Sequence, residues 1–333
     1  MGNLLNRRLI FVTGKGGVGK STVATALGLL AARRGRRTVV AELANQDRIQ
    51  RAFDHKGEQF RELELAPGLF TISIDPQHAM EEYLRVKVGP IGHLLASSRL
   101  FAVFAMATPG MRELLSVGKV WELAQLERRT RGASPYDLVI VDSPATGHGI
   151  GILRTPRTFA EIARVGPIAH QGRTIADTIA DRRFTGVIAV ATAEEMPVSE
   201  TLSLRDDLAR ERLPLDAVIV NALYPRRFDA RQVQRLETAS AHPSSPLART
   251  ALAAALSEHN RTITQGVQQA RLRDGLGMDP VKLPFVFADH FGPAELELLA
   301  DALEVGLASL RARSCPDPEK PSSALPPPAG SAW

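Results

Sequence analysis

Two lysines and four glycines share the stretch Phe11-Val12-Thr13-Gly14-Lys15-Gly16-Gly17-Val18-Gly19-Lys20-Ser21-Thr22. Lysine is otherwise scarce, with seven in 333 residues against 34 arginines. Glycines let a loop curl until its N–H groups converge on an anion. A lysine and a hydroxyl directly after the last glycine add a mobile cation and an oxygen that suits a hard metal ion. The pattern from Gly14 through Val18 and Gly19 to Lys20 and Ser21 is that of a P-loop. It implies a nucleoside triphosphate cradled by the backbone, with Lys20 reaching the β- and γ-phosphates and Ser21 on Mg²⁺. A P-loop explains Lys20 and leaves Lys15 unexplained.

A second acid-bearing position supports the first. Asp142 closes the apolar run Val139-Ile140-Val141, which places a carboxylate where P-loop ATPases order the water shell of Mg²⁺. A competing pattern occupies the same glycines. Gly14-x-Gly16-x-x-Gly19 is also a dinucleotide fingerprint, with Glu42 near the position of a ribose-binding acid. That alternative does not require Lys20 and Ser21 and leaves Asp142 without a role.

These residues need a scaffold, and the sequence supplies one. LIFVT (9–13), RRTVVAEL (36–43), LFTISID (69–75), YDLVIVDS (136–143), FTGVIAVAT (184–192), LDAVIVNAL (215–223) and VKLPFVFAD (281–289) are near-continuous apolar runs, the mark of strands buried on both faces. Helical periodicity falls at 21–35, from 77 to about 131, at 156–183, at 198–212, at 228–275 and at 293–313. Alternating strands and helices predict a doubly wound α/β fold with a mainly parallel sheet. Ligands of such sheets bind at the carboxyl ends of the strands, where the glycine loop, Asp142 and Asn221 fall. Residues 1–313 are expected to form one ATPase domain. A helical subdomain is inserted at 77–131, and a Pro-, Ser- and Ala-rich tail at 314–333 is expected to be disordered.

Composition narrows the function. Hydrophobic residues make up 44% and charged residues 23%, and no apolar run reaches the roughly 18 residues of a membrane span. The glycine loop follows the first residues too closely for a cleavable signal peptide, so a cytoplasmic protein is expected. The single cysteine, Cys315, excludes an internal disulfide and a multi-cysteine metal cluster. The formal charge of +5 is spread along the chain. Arg33, Arg34, Arg36 and Arg37 form its densest group, yet no aromatic residues interleave with them as a nucleic-acid surface would require. Nucleic acid is not an expected partner.

Two stretches carry a resemblance. GKGGVGKST (14–22) is the deviant P-loop with a second lysine at its start. DSPATGHGIGILRTP (142–156) resembles the second switch of the anion-transporting ATPase family, which includes arsenical pump-driving and tail-anchored-protein targeting ATPases. PGMRELLSVGKV (109–120), AEEMPVSET (193–201) and VIVNAL (218–223) extend the likeness over residues 7 to 310. The resemblance implies a dimer with nucleotide between the subunits and a role for Lys15: crossing the interface to the phosphates held by the other subunit. It implies that Gly16, Gly17, Gly19, Lys20, Ser21 and Thr22 bind phosphates and magnesium, and that Asp142 orders the metal shell. Thr146, Gly147 and His148 would form a loop sensing the γ-phosphate, Asn221 would read the adenine edge and Pro284 would pack near the base.

The departures are as informative. Ala44 stands where the family's first switch has the aspartate that positions the attacking water; Glu42 and Asp47 are the nearest acids. This predicts better binding than turnover, and pairing either with a second copy or with a homologous subunit that brings a complete switch. No thiolate set for arsenite, no CxxC pair and no Met-rich insert is present. The remaining candidate surface for a hydrophobic client or membrane-protein partner is the apolar group Leu94, Leu95, Leu100, Phe101, Val103, Phe104 and Met106 within 78–131, which would serve equally as the core of a helical subdomain.

Overall fold

A computed structural model describes residues 4–43, 47–55, 59–88, 108, 110–130, 132–163 and 167–314. Eight strands form one sheet: β1 (Leu9–Thr13), β2 (Thr38–Leu43), β3 (Leu63–Ala66), β4 (Leu69–Ile74), β5 (Leu138–Asp142), β6 (Thr185–Thr192), β7 (Ala217–Leu223) and β8 (Val281–Pro284). Their order is β3-β4-β2-β5-β1-β6-β7-β8. Every neighbouring pair is parallel except β3 with β4. Around the sheet lie α1 (Lys20–Arg33), α2 (Arg48–Ala52), α3 (Pro76–Val88), α4 (Met111–Leu123), α5 (Thr146–Ala163), α6 (Pro167–Ala180), α7 (Glu195–Arg210), α8 (Ala230–Ala241), α9 (Pro246–Leu276) and α10 (Pro293–Ser314).

Strand side chains alternate between two cores because the pleat turns successive residues to opposite faces. Leu9 and Phe11 of β1 join the layer that holds α4, α5, α6 and α7. Ile10 and Val12 join the layer of α1 and α10. Both faces are therefore dry, as the continuous apolar runs require. The doubly wound, mainly parallel α/β architecture expected from the sequence is the one observed.

Four elements differ from expectation, one of them α2, a five-residue helix that falls in no predicted helical span. β3 is an additional strand, a short antiparallel edge on β4 whose four residues are mostly half-exposed, so it lacks the apolar run that marks the others. β8 stops at Pro284 instead of continuing to residue 289. The segment expected to be a switch loop, Thr146 to His148, forms the first turn of α5. The apolar cluster from Leu94 to Met106 lies outside the described residues, as do Ala44, Pro109 and Cys315; α3 and α4, which flank that cluster, pack on each other.

The arginine group is used internally. Arg33 pairs with Asp301 and Arg34 with Glu304, clamping α1 to α10. The Arg36 guanidinium donates to the Asp137 carbonyl, and Arg37 lies over the Phe70 ring at 3.9 Å. A buried ion network ties α3 and α4 to the sheet edge. Arg128, 1% exposed, lies 2.5 Å from Glu62 and 3.1 Å from Glu122. Lys119 lies 2.8 Å from Glu82 and 3.0 Å from Glu122. The Tyr136 hydroxyl donates to Glu62 at 2.6 Å. Among the described residues, no helix is long and apolar enough to cross a membrane.

Candidate functional site

β1 delivers the glycine loop to the middle of the sheet, between β5 on one side and β6 on the other. Two of its glycines are obligatory. A Cβ on Gly14 (φ +145°) would sit 2.1 Å from the Val190 carbonyl oxygen on β6. A Cβ on Gly19 (φ +88°) would sit 2.3 Å from the Asn221 amide nitrogen. Gly19 then opens α1 as its N-cap, so the loop ends at the positive end of a 14-residue helix.

Three side chains converge where the loop becomes helix. Lys20 Nζ donates to the Lys15 carbonyl at 2.8 Å, folding the lysine back over its own loop. Ser21 Oγ donates to Asp142 Oδ2 at 2.5 Å. Asp142 is 8% exposed, and its Oδ1 is buried with no hydrogen-bond partner among the described residues. Burial pushes the Asp142 carboxyl pKa up, opposed by the Ser21 bond and by the charges of Lys20 and Arg48. Burial lowers the Lys20 pKa, against the pull of Asp142.

The orphaned Oδ1 is a test of whether Mg²⁺ fits. A metal-bound water beside it would satisfy an oxygen that otherwise costs free energy to bury. Ser21 and Asp142 offer hard oxygen donors, and Mg²⁺ is commonly held by one or two protein oxygens, substrate phosphates and waters. Among the described residues no three His, Cys, Asp or Glu side chains gather into a metal cage. The group fits.

Glu42 is placed differently from its neighbour. It pairs in register with Asp142 across β2 and β5, but it does not line the cleft. Its Oε1 accepts from Arg48 N at 2.9 Å and Ile49 N at 3.3 Å, capping α2. Asp47 stands at the N-cap of α2 in a left-handed conformation, φ +44°. Lys15 donates to Glu200 of α7, an ion pair within the same chain. The Asn221 amide donates to the Val18 carbonyl at 3.0 Å, bracing the loop from β7. Pro284 ends β8 in register with Leu223. Next to it Tyr224 and Phe285 stack with centroids 4.7 Å apart, and Phe287 meets both edge-on at 5.7 and 4.8 Å.

The result is a cleft of about 410 Å³, lined by Gly16, Gly17, Gly19, Lys20, Ser21 and Thr22 on the loop side and by Asp142, Ser143, Arg48 and Phe291 opposite. Sequence reasoning placed the loop, Lys20, Ser21 and Asp142 together. It missed Arg48 and Phe291, which belong to no motif and reach the cleft only through the fold.

Comparison with known proteins places the chain in a family. The sequence pattern of the anion-transporting ATPases matches residues 7–165 and 162–242. The chain is 32% identical to ATPase BagA of Mycobacterium tuberculosis over 238 residues, 68% of each chain. It is 25% identical to an arsenical pump-driving ATPase of Acidiphilium multivorum, over 65% of this chain and 39% of that one. It is 24% identical to ATPase ASNA1 homolog 1 of Paramecium tetraurelia, over 65% and 75%.

Proposed function

The chain belongs to the anion-transporting ATPase family, and from that premise we propose that it binds Mg-ATP in this cleft and uses it to close against a second subunit. The observation that carries the reading is the convergence of Lys20, Ser21 and Asp142, with Asp142 Oδ1 buried and unpartnered. Lys20 leaves the Lys15 carbonyl to take the β- and γ-phosphate oxygens. Gly16, Gly17, Gly19 and Thr22 line the rest of the cradle, held in shape by Gly14 and Val18. Ser21 and Asp142 hold the metal, which supplies charge neutralisation on those oxygens when bound. Lys15 leaves Glu200 and crosses to the partner's phosphates. Asn221 and Pro284 border the base. Water attacks the γ-phosphorus, the bond to the β,γ-bridging oxygen breaks, ADP and inorganic phosphate leave, and the lysines stabilise the charge that develops.

A second reading is favoured by one placement. Glu42, the nearest acid on β2, spends its Oε1 on the N–H groups of α2, and position 44 carries alanine. A chain with no water-positioning carboxylate acts as a nucleotide-dependent binding subunit, and its partner is then a homologous ATPase with a complete switch. The relatives named for an arsenical pump suggest a coupled client, but arsenite capture needs several soft thiolates and this chain has one cysteine. A hydrophobic segment or a membrane protein is the better client class.

Equilibrium ATP binding with and without Mg²⁺, beside Lys20→Ala, tests the proposal. Wild type should bind, and the variant should lose at least about tenfold, the scale of one charge-assisted contact. A chain that binds no nucleotide refutes it. Phosphate release on the same samples separates the readings: fast turnover by the isolated chain removes the heterodimer.

A further inference from the structure

Arg48 is a cation without an assignment. It opens α2 directly after the residues that follow β2, its side chain is exposed and lines the cleft, and its charge reaches both Lys20 and Asp142. It has no ion-pair partner among the described residues, whereas Lys15 is already paired with Glu200. Among the described residues, the charged side chains lining the cleft are Lys20 and Arg48 against Asp142, one positive charge in excess.

The sheet order says which part of an anion that excess faces. β2 lies beyond β5 from the loop, and Asp142 ends β5. Asn221 and Pro284 lie on the opposite side, on β7 and β8. Arg48 thus stands on the Asp142 side, away from the base. The N–H groups of Arg48 and Ile49 are not free to take the anion, since Glu42 occupies them. What remains is the guanidinium itself, whose planar fork matches two phosphate oxygens at once.

We infer that Arg48 grips the terminal phosphate of the bound nucleoside triphosphate and so distinguishes triphosphate from diphosphate. The inference rests on the nucleotide reading above. It gives the first switch of this chain a contact to the γ-phosphate made by a cation, on the same segment where the family's aspartate is replaced by Ala44.

The test is equilibrium binding of ATP and ADP, each with Mg²⁺, to the full chain and to Arg48→Ala and Arg48→Lys. The side chain is exposed and the backbone N–H that Glu42 uses stays in place, so both variants should fold. Losing a charge-assisted contact should weaken ATP about 10- to 100-fold in Arg48→Ala. ADP should change less than about threefold, and Arg48→Lys should recover part of the difference. Equal losses for ATP and ADP, or none for either, overturn the inference while leaving the nucleotide reading intact. A wild-type chain that binds neither nucleotide overturns both.

Discussion

Replacing Glu42 by glutamine should change how the stability of this protein depends on pH. Glu42 is 1% exposed. Burial pushes its pKa up from 4.5 to about 7; the N–H groups of Ile49 and Arg48 oppose the rise, and the neighbouring Asp142 adds to it. A carboxyl whose folded pKa lies above its unfolded value holds its proton more tightly in the fold. As pH climbs from about 4.5 to about 7 the folded chain keeps a proton that the unfolded chain has released, so stability falls until both are ionised. At roughly 1.36 kcal/mol per pKa unit, that rise amounts to about 3 kcal/mol, absent at the acid end and complete above about pH 7. Glutamine keeps the shape and an oxygen for the two N–H groups, and it never ionises. Denaturant unfolding of both chains without nucleotide, from about pH 5 to about pH 8, should show the difference moving in favour of Glu42→Gln by about 2.5 kcal/mol, most of the full linkage. Asp142 is common to both chains and largely drops out of the comparison. Parallel pH profiles would falsify the argument, because they would mean that Glu42 ionises in the fold as easily as out of it.

Gly19→Ala should lower ATP affinity at least about tenfold and cost about 1–3 kcal/mol of stability, since the new methyl meets the Asn221 amide that braces Val18; calorimetric titration and unfolding read both, and unchanged affinity would mean that the loop relaxes freely. Lys15→Ala should leave folding within about 1 kcal/mol, because its pair with Glu200 is about a third exposed, yet abolish ATP-dependent assembly seen by light scattering; assembly that survives removes the crossing role of Lys15. Arg128→Met should leave Glu122 with Lys119 alone and Glu62 with the Tyr136 hydroxyl alone, costing about 3 kcal/mol, the low end for a broken buried pair, and lowering Tm by about 6–12 °C; a shift within about 2 °C by scanning calorimetry would show that the remaining partners suffice for both acids.

The parts of this protein that could be read from its sequence are those governed by local rules. Seven strands announced themselves as apolar runs, six because both of their faces are largely buried and β8 through Val281 and Leu283 alone, since Lys282 and Pro284 are exposed. The P-loop was legible because glycines, lysine and serine must follow one another to wrap a phosphate. β3 was not, since Leu63 to Ala66 is a half-exposed edge whose pairing depends on β4. Thr146 to His148 resembled a loop by family pattern, and nothing in Thr-Gly-His signals the helix turn they adopt. Arg48 was invisible because its meaning lies in what β5 and β1 place opposite it. The network of Glu62, Glu122, Arg128 and Tyr136 joins residues up to 74 positions apart, beyond the reach of any spacing rule.

The packing of α1 on α10 has a consequence for how the chain is made. α1 carries the phosphate loop at its start and buries Leu27 and Leu30 against a layer that includes Leu299 and Leu303 of α10. About 260 residues separate the end of α1 from the start of α10. At roughly 5–20 residues per second of synthesis, that face of α1 waits about 13–52 s for its cover. β1 likewise waits for β5 and β6 before it has neighbours on either edge. The segment that reads as the nucleotide cradle is thus translated early and completed late. Until its last described helix emerges, the nascent chain carries an apolar face of α1 without its cover.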